Sequence, residues 1–197
     1  VAALPETALR QKAKDFIASL KHLLDEIPLE KVEAVTELLY RAYRADKQVF
    51  IMGNGGSAST ASHFVCDLGK ETARQGTPRF RVIGLNDNVA LMTALSNDFG
   101  YASVFKEQLV NLVNEGDIVI GITGSGNSAN VLEAITYARS RKAVTIGLIG
   151  FGGGRLKDLV DEAIVISSTD YGHVESVHLV LEHLITEIFR ARIGHVP

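Results

Sequence analysis

The sequence predicts a doubly wound α/β fold: a parallel sheet between layers of helices, preceded by a helical extension. Three observations carry this expectation. Five short apolar runs recur, "QVFIMG", "FRVIGL", "DIVIGIT", "AVTIGLIG" and "EAIVISS". Each is followed by Gly, Ser or Asn and then by a stretch of helical spacing. Their largely unbroken apolar character marks strands buried on both faces, which is the signature of a parallel sheet covered by helices.

The elements follow in order. Pro5 opens a helical run to about Ile27, with Leu9, Phe16, Ile17, Leu20 and Leu23 near helical spacing, and Pro28 ends it. "LEKVEAVTELLYRAYRA" supplies a second helix with Val32, Val35, Leu38, Leu39 and Tyr43 on one stripe. Two readings share these stripes: packing on their own subunit, or assembly with another. The five strands come next, separated by helices. A last helix runs from about His173 to Ile193, apolar through Val177, Leu181, Leu184, Ile185 and Ile188. With no fixed-period repeat and no low-complexity linker, residues 1–197 read as one domain, of which 1–45 are the helical extension. In such sheets ligands bind beyond the carboxyl ends of the strands, where the Gly-Ser turns fall.

Composition narrows the function. The chain is 46% hydrophobic and 22% charged, which is ordinary for a globular domain. A net charge of −3 without a long basic run argues against a nucleic-acid partner. The single cysteine, Cys66, has no internal disulfide partner, which fits a reducing compartment. It reads as a small buried residue beside the helix it follows. No apolar run is long enough to cross a membrane, and the opening "VAALPETALRQKAKDF" lacks the apolar core of a secretion signal. A cytoplasmic protein with no membrane partner is the expectation.

Two turns have the chemistry of anion seats. After the third strand comes Thr123-Gly124-Ser125-Gly126-Asn127-Ser128, then a helix. Glycines let backbone approach a ligand, a helix N-terminus offers free N–H groups, and three hydroxyls add donors. An ordinary helix cap would use one of those hydroxyls; three with two glycines favour a phosphate. The turn also matches the dinucleotide pattern G-x-G-x-x-A, but the next strand ends without the acidic residue that a ribose requires, and no P-loop lysine occurs. A small phosphorylated metabolite remains. Gly53-Asn54-Gly55-Gly56-Ser57 repeats the arrangement after the first strand, with Asn54 supplying an amide suited to sugar hydroxyls.

His63 and Asp67 lie four residues apart on the following helix and share a face. Metal ligands use that spacing, and so do solvated ion pairs. Glu175, His178, Glu182 and His183 form a second group on the last helix. Glu175, His178 and Glu182 align, with His183 about 80° from Glu175. Its plainer reading is a charged outer face. Asp98, in "SNDFGY", follows a helix as a turn residue would.

Together, "GNGGSA" with "HF" six residues past its serine, "SNDFGY", "GSGNSANV", and a closing helix bearing Glu175, Ser176, Val177, His178 and His183 resemble the sugar isomerase (SIS) domain family. Within it, the sedoheptulose 7-phosphate (phosphoheptose) isomerases are the most similar, over nearly the whole chain. The resemblance implies a flavodoxin-like α/β/α sandwich with a five-stranded sheet, assembled as a homotetramer with sites at subunit boundaries. It implies an isomerase of heptose biosynthesis that interconverts sedoheptulose 7-phosphate and D-glycero-D-manno-heptose 7-phosphate through an enediolate. Carried over by motif, the phosphate lies against Thr123, Gly124, Ser125 and Ser128. The sugar meets Asn54, Gly55, Gly56, Ser57, Asn97 and Asp98, with Asp67 and Glu175 beside it. Zinc is held by His63, Asp67, Glu175 and His183, and Asp67 and His183 are the acid/base pair.

Three positions depart from that family. Asp67 replaces a glutamate, Glu175 a glutamine, and Gly124 a threonine. A non-catalytic SIS scaffold and an isomerase of another sugar phosphate are the alternatives. Asp67 and His183 remain ionisable, which favours an enzyme, because moving a carbonyl between adjacent carbons requires a proton acceptor and donor near neutrality.

Overall fold

β1 (Gln48–Gly53), β2 (Arg81–Gly84), β3 (Ile118–Thr123), β4 (Val144–Ile149) and β5 (Glu162–Val165) form one sheet in the order β2-β1-β3-β4-β5. All neighbours are parallel, in registers such as Val49 opposite Ile118 and Ile118 opposite Val144. The structure is a computed structural model and describes residues 5–194. Residues 1–4 of the expected extension and 195–197 at the far end of the expected domain lie outside the described residues.

Seven α-helices flank the sheet among the described residues: α1 (Glu6–Asp25), α2 (Leu29–Arg44), α3 (Gly56–Cys66), α4 (Val89–Phe99), α5 (Val104–Leu112), α6 (Ala129–Ser140) and α7 (Tyr171–Gly194). The central strand explains the layering. Every residue of β3 is buried, so its side chains alternate between two cores. Ile118, Ile120 and Ile122 face a core shared with Val35, Leu39, Phe64, Val177, Leu181 and Phe189 of α2, α3 and α7. Val119 faces the opposite core, built on Phe105, Leu109, Val131 and Ile135 of α5 and α6. Burying a large aliphatic side chain contributes about 1.5–3 kcal/mol. The predicted stripes of α2 and α7 supply much of the first core.

α1 differs. Of its predicted stripe only Leu23 is buried; Leu9, Phe16 and Ile17 are 53%, 41% and 52% exposed. Phe16 instead stacks on His173 of α7, ring centroids 4.2 Å apart. Two other expectations change. Cys66 is exposed, because it falls on the outer side of α3 while Phe64 and Leu68 take the core. Asn97 and Asp98 are in the last turn of α4 rather than beyond it, and Gly100 (φ 83°) makes the turn. No described helix is long and apolar enough to cross a membrane.

His178 is fully buried in α7, so it is not on a charged outer face. Neither ring nitrogen has a well-formed hydrogen bond. Burial pushes its pKa down to about 4, with partial opposition from the Ile149 backbone. The unfolded chain therefore binds the proton first as pH falls below the ordinary 6.5, and folding is progressively disfavoured down to about pH 4. Wild type should lose on the order of 3 kcal/mol through this group across that window. Urea unfolding of His178→Leu at several pH values should show a correspondingly shallower acid slope.

Candidate functional site

The strand order reverses between β1 and β3, since the chain leaves β1 for β2 on one side while β3 lies on the other. Crevices at such reversals are the usual ligand sites of open parallel sheets. The two Gly-Ser turns flank this one. α3 and α6 start here, so both helix N-termini face the same space.

Thr123, Gly124, Ser125 and Ser128 line a cavity of about 180 Å³ together with Asn54, Ser57, Tyr171 and Glu175. Ser128 is the residue before α6, yet its side chain does not cap that helix. Its hydroxyl lies 3.2 Å from that of Thr123. Gly126 N–H donates to the Thr123 hydroxyl at 3.3 Å, and Asn127 N–H to the Ser125 hydroxyl at 3.2 Å. The turn is held from behind: Asn127 donates through Nδ2 to the Ser125 carbonyl and accepts from the Arg155 N–H. Across the crevice, Asn54 and Asn130 exchange two amide hydrogen bonds of 2.9 Å, and the Tyr101 hydroxyl donates to Asn54 Oδ1 at 2.7 Å. Asn130 joins the site through space, and the sequence carried no signal for it beyond its place after the serine turn.

Tyr171 lies over Gly124; a Cβ there would be 2.8 Å from its ring. The threonine found at this position in the resembling family would need that ring elsewhere. Asn97 and Asp98 are exposed, bond to each other at 2.8 Å, and do not line this cavity. Gly55 and Gly56 make the turn into α3, and a Cβ on Gly56 would fall 2.2 Å from the Glu175 carboxylate. The Glu175 side chain therefore lies across the start of α3. It also lines the neighbouring cavity of about 460 Å³, which contains His63.

Two turns further along α3 and α7, four ionisable groups converge. His63, Asp67, Glu182 and His183 each present one donor atom, all within 4.8 Å of one another. His183 Nε2 is 3.3 Å from His63 Nε2, 3.2 Å from Glu182 Oε1 and 3.8 Å from Asp67 Oδ2. His63 Nε2 is 3.7 Å from both carboxylates. Asp67 begins a short π-helical turn, Asp67–Glu71, that continues α3. The expected set named Glu175; the carboxylate that meets the histidines here is Glu182. It is fully buried with neither oxygen hydrogen-bonded, and burial, with Asp67's charge second, pushes its pKa up to about 8. A bound cation would reverse that preference.

A switch-point crevice between two hydroxyl-rich turns, with imidazoles and carboxylates deeper along the helices, suits a small phosphorylated ligand and proton transfer. The chain belongs to the SIS domain family, whose model matches residues 14–150. Among curated relatives, the phosphoheptose isomerase of Geobacter sulfurreducens is 35% identical over 165 residues, 83% of this chain and 86% of that one. That of Aliarcobacter butzleri is 35% identical over 92% of this chain and 97% of its own. The solved phosphoheptose isomerase of Neisseria gonorrhoeae superposes with a TM-score of 0.87 at 27% identity, covering 93% of this chain and 99% of that one.

The seat between the turns depends on Gly126, whose φ is 67° and whose added Cβ would fall 2.1 Å from the Gly153 carbonyl oxygen. Gly126→Ala should cost about 2–4 kcal/mol, combining a left-handed backbone with overpacking. Chemical denaturation will measure this, and inorganic phosphate should stabilise wild type more than the variant.

Proposed function

We propose that this protein is an aldose–ketose isomerase that interconverts sedoheptulose 7-phosphate and D-glycero-D-manno-heptose 7-phosphate. One observation carries the reading: Asp67 and His183, from different ends of the chain, meet with Oδ2 and Nε2 3.8 Å apart, two turns along α3 and α7 from the hydroxyl-lined crevice that Glu175 borders. The relatives named phosphoheptose isomerase support the same reaction.

The phosphate is received by Thr123, Gly124, Ser125 and Ser128, where neutral donors and a helix N-terminus favour a dianion without a basic side chain. Asn54, Gly55, Gly56, Ser57 and Glu175 border the sugar, and Asn97 and Asp98 complete its binding from the rim or from an adjoining subunit. Anchoring at the phosphate places the reacting carbons near the acid/base pair, which lowers the entropy cost of reaction. From aldose to ketose, the Asp67 carboxylate takes the proton from C2 while O1 gains a proton from His183, giving an enediol. Asp67 then returns a proton to C1 as O2 loses its own to His183. Every proton is conserved and no outside reagent is consumed.

A zinc site fits the cluster of His63, Asp67 and His183 with a neighbouring carboxylate. Ligands placed tetrahedrally about 2.1 Å from zinc stand about 3.4 Å from one another, close to the 3.2–3.8 Å separations among the nitrogens and their nearest oxygens. The orphaned oxygens of Glu182 supply a second reason. When bound, zinc would occupy the His183 Nε2 lone pair and act as a Lewis acid toward the substrate oxygens in place of the proton that this nitrogen supplies without the metal. A cytoplasmic location fits the single exposed cysteine and a charged metabolite.

We also assign a homotetramer. The exposed Leu9, Phe16 and Ile17 of α1, and Val89, Phe99 and Tyr101 (70%, 59% and 57% exposed) around α4, offer apolar surface for further copies. Light scattering should give four times the chain mass, and Phe16→Glu with Ile17→Glu should lower it.

Purified protein supplied with sedoheptulose 7-phosphate should form the manno-heptose phosphate, followed by chromatography. Asp67→Asn and His183→Ala should each reduce kcat by at least about 100-fold. Binding without turnover in wild type would make the protein a sugar-phosphate-binding module, and turnover only of other sugar phosphates would change the substrate.

A further inference from the structure

We propose that Glu182, and not Glu175, completes the divalent-cation site with His63, Asp67 and His183. This rests on the cation reading above and on no step of the reaction.

Both carboxylates belong to α7 and are seven residues apart. Seven residues turn a helix through nearly two full revolutions, so the two side chains share a stripe but stand about 10.5 Å apart along the axis. The angular position cannot choose between them; the level along α7 can. α3 gives that level. Gly56 lies against the Glu175 carboxylate, and seven residues on, His63 Nε2 is 3.7 Å from Glu182 Oε1. The two helices thus run side by side in the same direction, with Gly56 matched to Glu175 and His63 matched to Glu182. His183 is on the second of these levels, with its Nε2 3.2 Å from Glu182 Oε1.

The surroundings of the two carboxylates differ in kind. Glu182 is 0% exposed, and neither of its oxygens has a hydrogen-bond partner. An ionised carboxylate in that position is costly unless paired or coordinated. Its nearest polar neighbours are imidazole nitrogens, whose lone pairs are good ligands for a borderline cation. Two carboxylates and two neutral imidazoles together balance the charge of a dication, so the buried group becomes neutral when filled. Glu175 is only partly buried and lies between the hydroxyl-lined cavity and the one that contains His63. Among the described residues it is not part of the converging group. It stays with the sugar.

The test is zinc binding by full-length protein stripped with a chelator, measured by competition with a chromogenic chelator. Glu182→Gln should raise the zinc Kd by more than about 100-fold, beyond the range typical of outer-shell partners. Glu175→Gln should leave it within about three-fold. Zinc should raise the Tm of wild type and of Glu175→Gln, and leave that of Glu182→Gln unmoved. Cobalt(II) absorption guards against misfolding: its ligand-field bands should change in Glu182→Gln and persist in Glu175→Gln. Wild type that binds no zinc, folded Glu182→Gln with wild-type affinity and spectrum, or loss of binding in Glu175→Gln alone would each overturn the proposal. Turnover is read separately. Protein that binds zinc through Glu182 but leaves sedoheptulose 7-phosphate unchanged defeats the isomerase reading and leaves this one intact. Turnover with the reverse binding pattern does the opposite.

Discussion

The close, same-direction packing of α3 against α7 is the constraint on which the site depends. It is possible because Gly56 has no side chain: its absent Cβ would occupy the volume of the Glu175 carboxylate. Once the helices touch there, their common rise brings His63 level with Glu182 and His183 two turns later. The same approach buries Glu182 completely and leaves its oxygens without a hydrogen bond, with His183 Nε2 and His63 Nε2 3.2 and 3.7 Å from Oε1. A core would not tolerate that arrangement for stability alone. Replacing such a group by an apolar residue of similar volume is often neutral or stabilising. A cation partner, as proposed above, would account for such a group.

The sheet supplies the other half of the site. Strand order reverses between β1 and β3, so the turns after these strands open toward one another. Helix N-termini lie at the mouth of the crevice, and the carboxylates lie deeper along α3 and α7. An anionic ligand group is thereby attracted to the positive ends of the helix dipoles. The converging ionisable groups of α3 and α7 stay outside the first turn, where that field has faded. The Asn54–Asn130 amide pair ties the two turns together, so the mouth of the crevice is one rigid unit. Glu175 borders both the hydroxyl cradle and the cavity with His63, and so connects the proposed phosphate seat to the space beside the His63 cluster.

The departures from the family pattern make sense as a set. Gly124 leaves room for the Tyr171 ring, which forms part of the cavity wall. Asp67 is one methylene shorter than glutamate, yet its oxygen reaches both histidines within 4 Å from the start of the π-helical turn. π turns are frequent at functional sites, and this one begins at Asp67 itself.

Much of this was legible in the residues themselves. Unbroken runs such as "DIVIGIT" announce central strands because both faces of a parallel sheet are covered, and the Gly-Ser turns announce strand ends because few other residues permit them. His63 and Asp67 could be paired from their spacing, since four residues bring a helix back to the same side. Tertiary structure alone decided the rest. Periodicity gives direction around a helix but neither its level beside a neighbour nor which side that neighbour covers. Hence helical spacing put Glu175 and Glu182 on one stripe without separating them, the family resemblance named Glu175 as the ligand, His178 looked like a surface charge, and Cys66 looked buried. Only the packing of α7 on α3 and the sheet separates them, because burial and coordination depend on contacts between segments more than a hundred residues apart.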